Sequence, residues 1–306
     1  MIALASGISY FDLHFQDTPR VIATAVLSGP SGVALVDPGP TSSLGTLKEE
    51  LAHAGIAMRD VTALLITHIH LDHAGSAGTL VRENPQLRVL VHAKGAPHLI
   101  EPEKLLASAT RLYGDAMDRL WGEVAPVPAQ ALVVLQGGER VEAGGRSLDV
   151  AYTPGHASHH VSYFAPDAGI AFVGDTAGVK VVPDGDVLPP TPPPDVDLEA
   201  WEDGLERIER WGPESLFLTH FGPAGAVASH LSTLRDRLQT ASSLVKASLA
   251  REGSDEDREA WFVEECRRHL RRHMNDSDAR VYEVADRFDL NWRGLARYWR
   301  KRAPLE

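Results

Sequence analysis

Residues 67–75 are Thr-His-Ile-His-Leu-Asp-His-Ala-Gly, and they follow an apolar run, Ala63–Ile66, that is typical of a buried β-strand. The stretch holds the candidate metal ligands His68, His70, Asp72 and His73. Imidazole is the commonest protein ligand of zinc-like ions, and a carboxylate adds negative charge. In an extended segment His68 and His70 point the same way, and a helix after His70 would turn the other two towards a second position. Two neighbouring ions fit this spacing better than one.

Three more candidate ligands stand at the ends of apolar runs. His156 follows the strand-like run Ser147–Tyr152 within Thr-Pro-Gly-His. Asp175 follows Ile170–Val173 in the same way, and His220 follows Leu216–Leu218. Loops at the ends of a rigid scaffold commonly carry function. We therefore expect these three side chains to join the first four.

The rest of the chain predicts an α/β protein. Further strand-like runs are bounded by Gly, Pro or Asp, and they are Ile8–Leu13, Val21–Leu27, Val33–Val36, Arg88–Val91, Leu132–Leu135 and Val161–Phe164. Helical patterns at Ser42–Ala54 and Asp197–Trp211 alternate with them. A helical segment at about 96–122 is inserted between strands, and residues 184–197 contain five prolines. That proline loop is either a stiff connector or a wall of the active-site mouth.

Strand patterns stop at residue 226. We divide the chain into a domain of residues 1–225 and a helical extension of residues 226–306. Ser254 and Asn291 are predicted helix N-caps. The extension is rich in aromatic residues, which indicates the core of a helical unit, a lid over the substrate, or the contact of a homodimer.

Composition excludes several classes of protein. The 306 residues contain 30 Lys and Arg against 42 Asp and Glu, a net charge of −12, which argues against nucleic acid and anionic membranes as partners. The single cysteine, Cys266, excludes a disulfide framework and a multi-cysteine zinc cluster. No signal peptide or membrane span is recognisable. We expect a cytoplasmic enzyme that acts on a small-molecule substrate.

The HxHxDH pattern with a distant His, Asp and His resembles the metallo-β-lactamase-fold hydrolases over about residues 5–225. Residues 67–75, the Thr-Pro-Gly-His and Gly-Asp motifs and the helical extension look most like the glyoxalase II-like branch. The resemblance implies a four-layer αββα sandwich with a dinuclear metal centre and a C-terminal helical extension. It also implies a hydrolase of thioesters or esters, similar to a hydroxyacylglutathione hydrolase.

Within this resemblance each candidate residue takes a role. The first metal would be held by His68, His70 and His156, the second by Asp72, His73 and His220, and Asp175 would bridge the two. Zinc is the expected ion, and iron or manganese suit the same ligands. A metal-bridging hydroxide would attack the carbonyl, and Asp72 would orient it or accept its proton. We place His160 and His98 in the pocket or behind the ligands, and we expect at least one of His159 and His160 to be exposed.

Three alternatives stay open. A lactonase would use the same attack, although no tyrosine follows Asp175 closely. A phosphodiesterase or RNA-processing nuclease of this fold would need a basic surface, and Arg267–Arg272 is the one candidate. That stretch is better interpreted as a solvated, ion-paired helix face. A non-enzymatic scaffold would normally have lost ligands, and none is lost here.

Overall fold

Two β-sheets pack face to face in the structure, a computed structural model that describes residues 1–302. The first sheet has the order β1-β2-β3-β4-β5-β6-β7, with strands Ile2–Ala5, Ile8–Asp12, Ala23–Gly29, Gly32–Val36, Val61–Leu65, Arg88–His92 and Leu132–Leu135. The second has the order β13-β12-β11-β10-β9-β8, and its strands β8 to β13 are Arg140–Ala143, Arg146–Tyr152, Val161–Ala165, Ile170–Phe172, Ser215–Leu218 and Gly222–Ala224. Pairs β4/β5, β5/β6, β6/β7 and β11/β12 are parallel, and the others are antiparallel.

Helices connect and cover the sheets. In chain order α1 to α6 are Leu44–His53, Leu71–Ala74, Ala77–Glu83, Ala96–Ile100, Glu103–Tyr113 and Met117–Trp121. Then α7 to α11 are Leu198–Trp211, Val227–Leu249, Asp255–His273, Asp276–Ala285 and Phe288–Arg302. None of the helices in residues 1–302 is long and apolar enough to cross a membrane.

Alternation along the strands creates the layers. Neighbours Leu64 and Leu65 on β5 are both fully buried, but Leu64 packs towards helices and Leu65 packs between the sheets. Helices α1 and α3 cover the outer face of the first sheet, and α7 and α8 cover that of the second, where Trp201 is fully buried. The predicted four-layer αββα sandwich is confirmed.

The C-terminal helices pack against the sandwich. Helices α8, α9 and α11 enclose a cluster that includes Phe262 and Trp292, as expected for the core of a helical unit. The fully buried Tyr282 of α10 instead belongs to the same cluster as the first sheet, and its hydroxyl donates to Asp186 O at 2.6 Å. An ion pair of 3.1 Å joins Arg20 to Asp278. The division into two domains stays a prediction.

One predicted helix boundary is confirmed and one is wrong. Ser254 caps α9, because its side chain accepts from Asp257 N while the Asp257 carboxylate accepts from Ser254 N. Asn291 is not an N-cap, because α11 begins earlier, at Phe288. The buried Asn291 side chain instead forms tertiary hydrogen bonds, donating to Asp286 Oδ1 at 2.8 Å and accepting from Thr191 N at 2.6 Å.

Candidate metal centre

The seven candidate ligands meet at one edge of the sandwich, where strands of both sheets end. β5 leads into His68 and His70, and His70 is the last extended residue before α2, which carries Asp72 and His73. A helix thus follows His70, the condition under which the sequence places Asp72 and His73 at a second position. The loops after β9, β11 and β12 supply His156, Asp175 and His220. Their ligand atoms form overlapping groups in which all atoms lie within 4.8 Å of one another.

The first group consists of three imidazoles. His70 Nδ1 lies 3.0 Å from both His68 Nε2 and His156 Nε2, and those two atoms are 3.2 Å apart. Three nitrogens bound to one tetrahedral zinc at 2.0–2.1 Å would be roughly 3.3 Å apart. The group therefore fits one ion of this size.

Hydrogen bonds on the far side of two of these rings show which nitrogen carries the proton. His156 Nδ1 donates to Pro190 O at 2.8 Å, which leaves the lone pair on Nε2. Thr67 Oγ1 donates to Asp37 Oδ2 at 2.7 Å and so can accept from His68 Nδ1, at 3.2 Å. The Nε2 lone pairs of His68 and His156 then face each other, which a cation between them would stabilise.

The second group combines a carboxylate with two imidazoles. Asp72 Oδ2 lies 3.3 Å from His220 Nε2 and 3.7 Å from His73 Nε2. His220 Nδ1 donates to Val21 O at 2.6 Å, and His73 Nδ1 donates to the buried Asp37 carboxylate at 2.8 Å. Both Nε2 atoms therefore face Asp72, in an arrangement that fits a second cation.

Asp175 lies between the two groups. Its Oδ2 is 3.4 Å from His156 Nε2, and its Oδ1 is 3.3 Å from His73 Nε2 and 3.6 Å from His220 Nε2. His73 Nε2 and Asp175 Oδ1 are buried without a hydrogen-bond partner in residues 1–302. Buried polar atoms normally have partners, so these two atoms indicate that the site accommodates a further group.

Electrostatics differ between the two halves. Burial lowers the pKa of His68 well below its ordinary value and that of His70 to about 4, so both rings are neutral, as metal binding requires. In the other half burial opposes ionisation of Asp175, but His73 and His220 outweigh it and hold its pKa well below the usual range. Burial would lower the pKa of His73, but Asp175 and Asp72 outweigh it and raise that pKa well above the ordinary value, so a cation that binds in this half displaces a proton from the ring.

A cavity of about 350 Å³ opens from this centre. Asp72 and Asp175 form part of its lining at the metal-binding end. The proline loop contributes Pro190 and Pro192–Pro194, so it is a wall of the cavity rather than only a connector. Further parts of the wall come from α5, α6, the N-terminal residue Phe15, and the segment around Asp286, Arg287 and Leu290 of the C-terminal helices.

A sequence profile of the metallo-beta-lactamase superfamily matches residues 17–220, which include every candidate ligand. The chain belongs to the metallo-beta-lactamase superfamily. Membership, together with the His and Asp clusters, supports a metal-dependent hydrolase that uses divalent ions.

Curated relatives within the superfamily are distant. Metallo-beta-lactamase fold-containing protein ST1585 of Sulfurisphaera tokodaii is 26% identical over 207 residues, which are 67% of this chain and 74% of that protein. A hydroxyacylglutathione hydrolase of Erythrobacter litoralis is 31% identical over 62% of each chain. A second one, from a Synechococcus strain, is 31% identical over 47% of this chain and 43% of its own length. The chain thus spans about half the length of the hydroxyacylglutathione hydrolases that it matches.

Solved structures of the superfamily share the fold. The metallo-beta-lactamase family protein TTHA1429 of Thermus thermophilus superposes with a TM-score of 0.73 at 23% identity, covering 99% of this chain and 96% of its own. TTHA1623 in a di-iron-bound form superposes with a TM-score of 0.54 at 24% identity, covering 70% of this chain and 93% of its own.

Asp37 is not among the site residues predicted from the sequence, yet it supports three parts of the centre. Its buried carboxylate accepts from Thr67 N and Oγ1, from His73 Nδ1, and from Thr219 Oγ1. Asp37 orients His73 directly and tethers the strand ends that carry His68 and His220. Its backbone φ of +50° is unusual for a residue other than glycine. An acidic residue directly after the apolar strand β4 is the sequence pattern that could have indicated it.

The structure differs from the sequence prediction for two further histidines. His160 and His159 are both buried, so the prediction that at least one is exposed is wrong. His160 packs behind Asp175, with Nε2 3.3 Å from Asp175 N and Nδ1 3.0 Å from Thr176 Oγ1, and His159 Nδ1 accepts from Ile69 N at 3.4 Å. The compact turn after His156 leaves neither ring in solvent. His98 and His159 line the cavity.

Proposed function

We propose that the protein is a dinuclear metal-dependent hydrolase of thioesters or esters, similar in reaction to the hydroxyacylglutathione hydrolases. One observation carries this proposal: the two oxygens of Asp175 face two different groups of ligand atoms. A single mononuclear site would have no use for both. The distant hydroxyacylglutathione hydrolase relatives support the same class of reaction.

In this proposal the ligands keep the roles that the family resemblance implies. The first ion is held by His68, His70 and His156, the second by Asp72, His73 and His220, with Asp175 between them. Zinc, iron and manganese all suit histidine and carboxylate ligands, and the fold is known in a di-iron-bound form in TTHA1623. When bound, such ions acidify water and polarise a carbonyl oxygen.

Asp72 is the catalytic residue that we assign. Its side chain is 24% exposed and lines the cavity, whereas Asp175 is only 5% exposed. A carboxylate at the cavity surface can orient the attacking water and accept its proton. His73 and His220 hold the Asp72 carboxylate in place from behind.

We also propose a cytoplasmic enzyme that acts on a small molecule rather than on nucleic acid. The basic stretch at 267–272 supports a small-molecule substrate, because three of its four arginines face acidic side chains. Arg267 lies 2.7 Å from Glu283, and Arg268 lies 2.7 Å from Glu265. Ion-paired arginines offer little free charge to phosphates.

A metal analysis combined with a substrate panel tests the proposed function. The zinc-loaded wild type should contain about two ions per chain and hydrolyse a thioester or ester. His70→Ala should lower both metal content and turnover, the latter by about a hundredfold or more, while His53→Ala, on an exposed side chain of α1, should change neither. The proposal fails if the protein retains less than about one ion, if His70→Ala keeps full turnover, or if only lactones, β-lactams or phosphodiesters are cleaved.

A further inference from the structure

The candidate metal centre occupies only one end of the cavity, and the inserted helices line another part of it. The cavity-lining residues of α5 follow helical spacing: Lys104, Leu105, Ser108, Ala109, Leu112 and Tyr113. One complete face of α5 is therefore turned to the cavity, and most of that face is apolar.

Contacts between aromatic rings fix the shape of this apolar wall, which α5 and α6 form. Trp121 of α6 is 5% exposed, and its ring stacks on Phe15 with centroids 5.5 Å apart and planes 18° apart. Tyr113 meets the same indole edge to face at 5.1 Å. Such packed rings keep their positions without a ligand. The wall is thus part of the rigid cavity.

Exposure of an apolar wall to water is unfavourable, so a ligand that covers the wall gains binding free energy. A small polar acyl group bound at the metal ligands would not cover α5 and α6. A cavity of about 350 Å³ lies within the range that accepts a small organic molecule. The ligand that satisfies both ends has a hydrolysable carbonyl group and a hydrocarbon chain.

We propose that the substrate carries a hydrocarbon chain that lies against the α5–α6 wall while its ester or thioester carbonyl lies at the metal centre. This inference rests on the proposed function and adds the substrate class. The chain belongs either to the acyl part or to the leaving group, and two substrate series distinguish these sources.

Turnover against chain length is the first test. One series varies the acyl group of a thioester from acetyl to octanoyl, and the other varies the alcohol of an acetate ester over the same lengths. In one of the two series kcat/KM should rise about fourfold per methylene until the cavity is full, since each buried methylene contributes about 0.8 kcal/mol. Equal kcat/KM along both series would overturn the inference while leaving the proposed function intact.

Neighbouring positions on α5 provide a matched pair of variants. Ser108→Trp places a large ring in the cavity, whereas Ala107→Trp places it on an exposed residue that does not line the cavity. Ser108→Trp should lower kcat/KM for the longest substrate about tenfold or more relative to kcat/KM for the acetyl substrate. Ala107→Trp should change neither. Equal effects of the two variants would contradict the assignment of the wall.

A binding measurement separates this inference from the proposed function. Alkanoates from butanoate to octanoate are titrated into the zinc-loaded protein while tryptophan fluorescence is followed, because Trp121 lines the cavity. Affinity should rise with chain length in the wild type and in Ala107→Trp but not in Ser108→Trp. This result supports the wall even if no ester is cleaved. An affinity independent of chain length in the wild type overturns it.

Discussion

Asp286 is a buried carboxyl group at the C-terminal end of α10. It lines the cavity, and its Oδ2 has no hydrogen-bond partner in residues 1–302. Its Oδ1 accepts from Asn291 Nδ2 at 2.8 Å. Burial raises the pKa of Asp286 to about 7, because this one hydrogen bond compensates little of the lost hydration.

That raised pKa makes stability depend on pH. Since the unfolded chain releases this proton near the ordinary value of 3.8 and the folded chain near 7, the folded state binds more protons between about pH 4 and pH 7. Asp286 therefore lowers the free energy of unfolding as pH rises through this window, by up to roughly 4 kcal/mol above it. The free energy of unfolding of Asp286→Asn should equal that of the wild type near pH 4 and exceed it near pH 8.

Urea unfolding of wild type and variant across this pH range measures the difference. Glu252→Gln, at an exposed position, serves as the control that removes one acidic charge without relieving burial. A pH slope that is the same in Asp286→Asn and the wild type would show that the buried carboxyl group does not titrate in this window.

Individual site residues differ in how far the sequence could predict them. His68, His70, Asp72 and His73 lie in one short stretch, so local spacing is enough to reveal them. Asp37 has hydrogen-bond partners 30, 36 and 182 residues away, and only the folded sheet brings these together. The prediction that Asn291 is an N-cap is wrong for the same reason, because its partner Thr191 lies 100 residues earlier.

At the scale of elements, α11 and the proline loop approach each other closely at Gly294. A Cβ atom at this position would collide with the carbonyl oxygen of Thr191, which is backbone and cannot rotate away. Gly294→Ala should therefore destabilise the protein by about 1–3 kcal/mol, although alanine is normally the better helix former.

Gly45 in α1 is the matched control, because a Cβ there would meet nothing within 4 Å. Gly45→Ala should stabilise the protein by about 0.5–1 kcal/mol. Chemical denaturation of both variants measures whether each substitution raises or lowers the free energy of unfolding. Stabilisation by Gly294→Ala would mean that helix and loop are not in close contact.

Secondary structure was largely predictable because periodicity is local. The helix at Asp255–His273 begins directly after Ser254, the N-cap that the sequence predicts. Short edge strands such as Ile2–Ala5 and Gly222–Ala224 escaped prediction, since three or four residues show little alternation and depend on their neighbours in the sheet. How the elements pack came from the family resemblance rather than from periodicity.

At the scale of the whole molecule, the C-terminal helices share a core with the sandwich. Leu270, Tyr282 and Phe288 belong to the hydrophobic cluster that also holds the outer face of the first sheet. We therefore expect one cooperative thermal transition at saturating zinc rather than separate unfolding of residues 226–306.

Calorimetry tests this expectation through the agreement of calorimetric and van't Hoff enthalpies. Tyr282→Ala should lower the temperature of the entire transition, because removing a buried aromatic side chain costs about 3–5 kcal/mol. Val284→Ala, on an exposed side chain of the same helix, should have little effect. Two resolved transitions in the wild type would instead support independent domains.

The contact between α11 and the proline loop also determines when the metal centre can be completed during protein synthesis. Asn291 accepts a hydrogen bond from Thr191 N, and the adjacent Pro190 O holds the ring of His156. A ribosome produces His156 long before Asn291, and chains begin to fold from the N-terminal side during synthesis. The imidazole therefore gains its final support only after α11 has emerged from the exit tunnel. The nascent chain would thus complete its binding site for ions only once α11 can pack against the proline loop.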